Sequence, residues 1–158
     1  MTIKGPRGIE LLQGEAFVLE PSSAHVTIAA NVAGVNQYTV RGERSRFVFL
    51  IDLTAAANLV GDTLDVFIDA LAPDGATWLN AIHFPQMLGN GGAKKFFAIL
   101  DAANPGTACF DVSADAAVNT VRPALFGSDF RGRYTIAGGG AQSFTFSLTA
   151  YAVSPGVP

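Results

Sequence analysis

Residues 63–100, TLDVFIDALAPDGATWLNAIHFPQMLGNGGAKKFFAIL, decide the fold of this chain. Over residues 63–70 apolar and polar side chains alternate, which is typical of a strand with one buried face. That apolar face consists of Leu64, Val66 and Ile68. Pro73-Asp74-Gly75 then predicts a turn, because proline presets φ, aspartate bonds nearby backbone and glycine accepts a positive φ.

Two further apolar runs follow this turn. Residues 78–88 form the first and residues 94–100 the second, with Gly89-Asn90-Gly91-Gly92 between them as another turn signal. Strand, turn, strand, turn, strand predicts an antiparallel meander. The short loops carry no evident nucleophile, base or metal cluster, so this stretch favours a packing and binding module over an enzyme.

The rest of the chain repeats the pattern of short strands separated by turns. The other strand-like runs are residues 9–12, 16–19, 25–33, 38–41, 45–53, 108–112, 131–137 and 143–153. Turns are predicted at 21–23, 34–37 and 104–106, and a Gly-rich loop at 138–141 is predicted to join the last two strands as a hairpin. Many short strands with frequent turns predict an all-β antiparallel sandwich of jelly-roll-like type.

Helix is expected only as single turns, at residues 54–60 with Thr54 as N-cap and at residues 113–117 with Ser113 as cap. The domain organisation follows from composition. Residues 1–8 are an N-terminal arm, 9–153 one β-sandwich domain and 154–158 a C-terminal tail, with no linker inside the domain.

The composition is apolar for a soluble domain. Hydrophobic residues make up 49% and charged residues 15%, against about 25% charged residues in an average domain. Thin polar cover indicates burial against other subunits. A Gly- and Ala-rich core protein of ordinary solubility is the alternative.

Charge and cysteine content exclude other classes. The net charge is −3, and a nucleic-acid-binding domain is expected to be basic. Cys109 is the single cysteine, which rules out an internal disulfide, and its apolar neighbours indicate a buried side chain. No secretion signal or membrane-spanning run is recognised, so we expect synthesis in the cytoplasm and no membrane partner.

Two stretches resemble small virion structural proteins of tailed bacteriophages. They are TLDVFIDALAPDGATW with the following AIHFPQM, residues 63–87, and FRGRYTIAGGGAQSFTFSLTAYA, residues 130–152. The resemblance implies a capsid decoration (cement) protein on the virion surface, made in the host cytoplasm, without cofactor or catalytic role. It further implies a homo-oligomer, with a trimer as first expectation, whose partner is the major capsid protein. A tail or head-tail protein and a glycan-binding β-sandwich are the alternatives.

Basic side chains are the candidate contacts to the capsid or to other subunits, because arginine pairs carboxylates at interfaces through its planar fork. They are Lys4, Arg7, Arg41, Arg44, Arg46, Arg122, Arg131 and Arg133. The arm that carries Lys4 and Arg7 contains too much glycine and proline to build a core, so we expect it to reach an acidic neighbouring subunit.

Acidic residues and histidines were weighed as sites of chemistry. Asp62, Asp65, Asp69 and Asp74 are close in sequence but lack calcium-loop spacing, so they are interpreted as solvated or interfacial carboxylates. His25 and His83 lack any motif of a catalytic triad and are interpreted as structural or interface residues.

The Gly-rich turns and the single tryptophan have structural interpretations as well. No Lys-Ser/Thr on a helix follows either Gly-rich stretch, so both are interpreted as turns and not as phosphate-binding loops. Trp78 is interpreted as a core anchor and not as a sugar platform.

Overall fold

The computed structural model describes residues 14–40, 44–56, 59–103, 114–122, 127–139 and 142–153. These residues form ten strands and no helix, and none of them belongs to a helix that could cross a membrane. In chain order the strands are β1 (Gly14–His25), β2 (Ala29–Thr39), β3 (Arg46–Ala55), β4 (Thr63–Leu71), β5 (Trp78–His83), β6 (Met87–Leu88), β7 (Lys94–Asp101), β8 (Thr120–Val121), β9 (Asp129–Ala137) and β10 (Phe144–Val153).

The strands make two antiparallel sheets that face each other. The first sheet has the order β1-β10-β3-β7, and the second has the order β2-β9-β4-β5-β8, with β6 paired to β4. If the two-residue strands are set aside, eight remain, and they pair first with eighth, second with seventh, third with sixth and fourth with fifth. Four nested pairs divided between two sheets are a jelly roll, so the predicted all-β sandwich is confirmed.

The predicted meander is correct for its first two strands, since β4 pairs with β5, but wrong for its third, and the predicted final hairpin is wrong. β7 does not pair with β5 but crosses to the first sheet, where it pairs with β3. β9 and β10 likewise lie in different sheets and do not pair, so they are not a hairpin. Glycine-rich turns predict a reversal of the chain, but they do not specify whether the next strand stays in the same sheet.

Edge strands explain the errors in the first third of the chain. The turn predicted at Pro21-Ser22-Ser23 lies inside β1, where the register shifts on either side of Glu20. Proline is tolerated there because β1 is an edge strand and has a bulge. The strand predicted at residues 25–33 is interrupted, with exposed Val26 and Ile28 between β1 and β2.

The break predicted at residues 34–37 is a bulge within β2. The register shifts between Ala33 and Gln37, and the backbone N–H of Val35 donates to the Glu20 carboxylate at 2.8 Å. A buried side chain from β1 thus supplies the acceptor that the neighbouring strand does not.

Neither predicted helical turn is present in the described residues. Thr54 belongs to β3 and is not an N-cap, and residues 114–117 are not helical. Ala57, Asn58 and Ser113 lie outside the described residues, as do the arm, the tail, the turn at 104–106, the strand at 108–112 and Cys109.

The turn after β4 is as predicted. Gly75 has φ +70°, and the Asp74 carboxylate accepts the backbone N–H groups of Ala76 and Thr77, each at 2.9 Å. Hydrogen bonds from the Thr77 hydroxyl and from these amides lower the pKa of Asp74 to about 2. The turn at residues 89–92 is also present, with Gly92 at φ +68°.

The core lies between the two sheets and is rich in phenylalanine. Alternation along each strand places these side chains inward, as predicted for β4 and β10. The inward residues are Phe47, Phe49, Ile51 and Leu53 on β3, Leu64, Val66 and Ile68 on β4, and Phe144, Phe146 and Leu148 on β10. Aromatic contacts join the sheets, with the rings of Phe47 and Phe130 4.8 Å apart.

Replacing Phe146 with alanine tests the core. Phe146 is 1% exposed, so F146A should lower the free energy of unfolding by about 3–5 kcal/mol. Urea denaturation monitored by circular dichroism measures the loss. Phe97, which is 70% exposed on the other side of the same sheet, is the control, and F97A should cost less than about 0.5 kcal/mol. Equal losses for the two variants would contradict the assigned faces.

Candidate functional site

The outer face of the second sheet carries a charged cluster around Asp69. Asp69 on β4 is only 2% exposed, although it points away from the core. Its register partner Arg131 on β9 donates through Nε at 3.3 Å, and Arg133, one alternation further along β9, donates through Nε at 3.0 Å. Asn80 on β5 donates its amide to the same carboxylate at 3.2 Å. Three strands therefore meet at one carboxylate.

Arg133 extends the cluster beyond the sheet. Its Nη1 donates to the side-chain oxygen of Asn31 at 2.6 Å, and its two terminal nitrogens also contact the Asp115 carboxylate. The guanidinium lies 4.1 Å from the centre of the Phe67 ring. Burial opposes its charge, but the hydrogen bonds that Arg133 donates to Asp69 and Asp115 outweigh that effect and raise its pKa.

Residues 114–122 explain the burial of this outer face: residues 114–116 lie over it, and residues 120–121 are β8, the strand beside β5 in the same sheet. Asn80 accepts the backbone N–H of Ala116 at 2.8 Å, and the guanidinium of Arg122 donates to the carbonyls of Asn80 and Ala114 at 3.0 and 2.8 Å. A polar side chain of the sheet thus holds the segment, while the segment's own arginine bonds back to β5. Because the outer face is covered here, Asp69, which was predicted to face solvent or a partner, is buried.

His83 makes a second contact with this segment. Its Nδ1 lies 2.9 Å from the Ala116 carbonyl and its Nε2 lies 3.1 Å from Asp65 Oδ1. Both neighbours are acceptors, so the doubly protonated ring satisfies both. Burial lowers the pKa of His83, but hydrogen bonds to Asp65 and Ala116 outweigh it and raise the pKa overall. Burial likewise raises the pKa of Asp65, but hydrogen bonds from His83 and Gln86 lower it overall.

An open cleft of about 310 Å³ lies over the cluster. Trp78 lines it and is half-buried, with the Arg131 guanidinium 4.3 Å from the centre of its ring. The interpretation of Trp78 as a core anchor is therefore wrong, because the bulge between β4 and β5 places it on the outer face. Polar side chains line most of the cleft. The Asp69 carboxylate already accepts hydrogen bonds from Asn80, Arg131 and Arg133 of the same chain.

The four carboxylates predicted to be solvated or interfacial differ in exposure. Asp62 and Asp69 are buried, so the prediction is wrong for them, whereas Asp65 is partly buried beside His83 and Asp74 is exposed in its turn. Among the described residues, no group of three or more histidine, cysteine, aspartate or glutamate side chains is arranged to hold a metal ion.

The structure places five of the eight candidate contact residues. Arg122 and Arg133 are buried, and Arg131 is partly buried beside Asp69. Arg44 lies 3.4 Å from the Glu15 carboxylate. These four guanidinium groups are used within the chain. Lys4, Arg7 and Arg41 lie outside the described residues.

Arg46 belongs to a different surface, the outer face of the first sheet. We call the apolar face the outward side chains Val18 of β1, Val48 and Leu50 of β3, Phe97 and Ile99 of β7, and Tyr151 of β10. Leu50 pairs with Phe97 and Val48 with Ile99, so their side chains lie directly side by side. Phe97 is 70% exposed and Ile99 46% exposed. A contiguous apolar surface of this kind is typical of a protein–protein contact.

Ion pairs border the apolar face at both ends of the β3–β7 pair. Arg46 on β3 pairs with Asp101 on β7 at 2.6 Å, and Asp52 on β3 pairs with Lys95 on β7 at 2.7 Å. Each pair is also a register pair of the two strands. We call these four residues the charged corners.

The sequence pattern placed Arg46 among the eight candidate contact residues but did not indicate the apolar face. The signal is in the segment KKFFAIL, residues 94–100, in which neither alternate set of residues is wholly polar. Its Phe97 and Ile99 are outward while Ala98 and Leu100 are buried. A strand with two apolar faces in a two-layer fold has one face without a partner.

Comparisons with known proteins show a similarity of fold alone. No protein-family model matches the chain, and no curated protein matches its sequence. Among solved structures, the chain is similar to the VP2 subviral particle of infectious bursal disease virus, with 10% identity over 93% of the chain and a TM-score of 0.52. It is also similar to the structure of the Gx strain of that virus, with 10% identity over 92% of the chain and a TM-score of 0.50. The chain spans about a third of the length of both.

Neutralising Asp69 tests the charged cluster. D69N keeps the shape of the side chain but leaves Arg131 and Arg133 without their common anion, so the free energy of unfolding should fall by about 3 kcal/mol. D52N breaks the solvent-facing pair with Lys95 and should cost about 0–1 kcal/mol. Urea denaturation of both variants supplies the measurement, and a D69N loss no larger than that of D52N would show that the cluster contributes little.

The His83–Asp65 pair predicts a pH dependence of stability. Because the pKa of His83 is raised, its contribution is complete below about pH 6.5 and is lost as pH rises through the folded pKa. Because the pKa of Asp65 is lowered, its contribution is complete above about pH 4 and is lost as pH falls through the folded pKa. The stability difference between wild type and H83Q should therefore be largest between about pH 4 and 6.5.

Urea denaturation of wild type and H83Q across this pH range, with an NMR titration of the His83 ring, checks the expectation. A stability difference that does not decline above neutral pH would contradict the charged pair. So would a titration midpoint for His83 below about 6.5.

Proposed function

We propose that this chain is a structural protein of a virus particle that works by packing against other protein subunits. The observation that carries the proposal is the apolar face, whose phenylalanine, isoleucine and leucine side chains are exposed on the outer side of a four-stranded sheet. Apolar area exposed to water gains about 25 cal/mol per Å² when it is buried. A surface of this composition therefore favours association.

The fold supports a place in a virus particle. Double-sheet jelly rolls are used by viral capsid domains, and the two similar solved structures are a virus and a subviral particle. Within this class we propose the role of capsid decoration (cement), in which the chain bridges neighbouring capsid subunits and adds contacts that must break before the shell opens. The proposed partners are the major capsid protein and further copies of the chain.

Glycan binding is the second candidate, because the cleft beside Trp78 combines an aromatic ring with carboxylate and amide groups. Jelly rolls also include lectin domains. Against this function, the Arg131 guanidinium covers the Trp78 ring, and the Asp69 oxygens already accept hydrogen bonds from three side chains. A sugar would have to displace groups that stabilise each other, so we favour assembly.

Counting copies in purified particles tests the proposal. A tagged copy of the chain, expressed in the host during infection by the virus that encodes it, should be recovered with the particles. Decoration predicts hundreds of copies per particle by quantitative mass spectrometry, whereas a tail or head-tail protein predicts a few. The absence of the chain from particles would overturn a structural role.

Two matched variants locate the contact. F97E places a charge in the apolar face, and V35E places the same charge on β2 of the other sheet, where Val35 is equally exposed at 70%. If the apolar face makes the contact, F97E should reduce the copy number at least about tenfold, because burying an unpaired carboxylate is costly. V35E should leave the copy number unchanged.

A further inference from the structure

We propose that the apolar face binds the same face of a second copy of this chain, related by a two-fold axis that lies parallel to the sheet. The inference rests on the proposed assembly function and names the partner at that surface. A two-fold contact is isologous, so a single face must complement itself in both shape and charge. The apolar face and its charged corners meet that condition.

The centre of the face is self-complementary because it carries no charge and is mostly apolar, with Thr149 of β10 as a neutral polar neighbour of Leu50. Leu50, Phe97 and Ile99 lie on adjacent strands with no charged side chain between them. Two such faces bury each other's apolar area without desolvating a charge at the centre. This arrangement matches interfaces in which charged residues are depleted at the core and placed at the rim.

The charged corners alternate in sign around the centre. Along β3 the outward residues run from Arg46 to Asp52, positive to negative. Along the antiparallel β7 the residues beside them are Asp101 and Lys95, negative to positive. The four residues form a rectangle in which diagonally opposite corners carry the same charge and adjacent corners carry opposite charges.

This alternating pattern complements itself under a two-fold rotation. A two-fold axis parallel to the strands exchanges the β3 side with the β7 side, so each positive corner meets a negative corner of the second copy. An axis perpendicular to the strands but still parallel to the sheet exchanges the two ends, with the same result. Both face-to-face dimers thus place opposite charges together at all four corners, which favours association and suppresses wrong partners.

The expected contact is small and weak. Seven residues along a strand at about 3.3 Å each, across four strands about 4.8 Å apart, cover roughly 400 Å² per partner when the axis is perpendicular to the strands. An axis parallel to the strands overlaps only β3 and β7 and covers about half of that area. Even the larger area is half of the roughly 800 Å² per partner of a standard stable interface, so we expect dissociation in the micromolar range. Facing sheets cross at about 30°, which moves the corners by only about 5 Å, less than the Debye length of about 10 Å at 0.1 M salt.

Exchanging all four corner charges in place tests the inference. The variant R46D/D101R/D52K/K95D preserves each ion pair within the chain, the net charge and the apolar face. Its corner pattern is the reverse of the wild-type pattern, so the variant complements itself but opposes the wild type at every corner. Wild type and variant should each form dimers but should not form dimers with each other.

Native mass spectrometry of an equimolar mixture at low salt, with one protein isotope-labelled, measures the pairing. Random pairing would make roughly half of the dimers mixed, and we expect the mixed share to fall about tenfold and to recover as salt is raised. F97E should be monomeric, and V35E should dimerise like the wild type. Circular dichroism of each variant confirms that it is folded.

Three outcomes would overturn the inference: a wild-type protein that stays monomeric at 100 µM, at about which concentration even a weak dimer forms, a closed trimer, or mixed dimers at the random share. None of them decides the proposed function. If F97E still reduces copy number in particles while wild type is monomeric, the apolar face binds a different capsid subunit. If F97E leaves the copy number unchanged while the dimers sort as expected, the assembly proposal fails at this face and the dimer stands.

Discussion

The pairing of β10 between β1 and β3 is the contact on which the rest of this structure depends. It brings residues 144–153 beside residues 14–25, and so joins the two ends of the described chain. The inner side chains of β10 then form one wall of the core, with Phe146 in edge contact with Tyr134 of the other sheet at 5.5 Å. Such distant pairing is entropically costly until hydrophobic burial offsets it.

Because the two sheets share one core, their outer faces are free to differ. The outer face of the second sheet is covered by residues 114–116 and consolidated by Asp69, Asn80 and Arg133. The outer face of the first sheet keeps its apolar side chains in water. This asymmetry distinguishes the two sheets: polar side chains of the second stabilise the fold, and the first carries the surface that we propose for association.

Arginine has different roles on the two faces. Within the chain, Arg122 donates to backbone carbonyl groups and Arg133 pairs with nearby carboxylates. Arg46 also has a partner within the chain, but its side chain is 54% exposed at the rim of the apolar face. A basic side chain therefore indicates a contact with another protein only after its hydrogen bonds and ion pairs within the chain are known.

The sequence alone determined the class of fold and the inward faces of β4 and β10, because alternation with period two is a local property that survives in any sheet. It also determined the turn at Asp74, whose chemistry involves only neighbouring residues. The tertiary structure decided which sheet each strand joins, because jelly-roll pairing is made between strands far apart in sequence. It likewise decided the burial of Asp69, which depends on the covering residues 114–116, and the outward position of Trp78, which depends on the bulge between β4 and β5. The apolar face could be recognised only there, since an outward phenylalanine is distinguished from an inward one by the sheet that lies opposite.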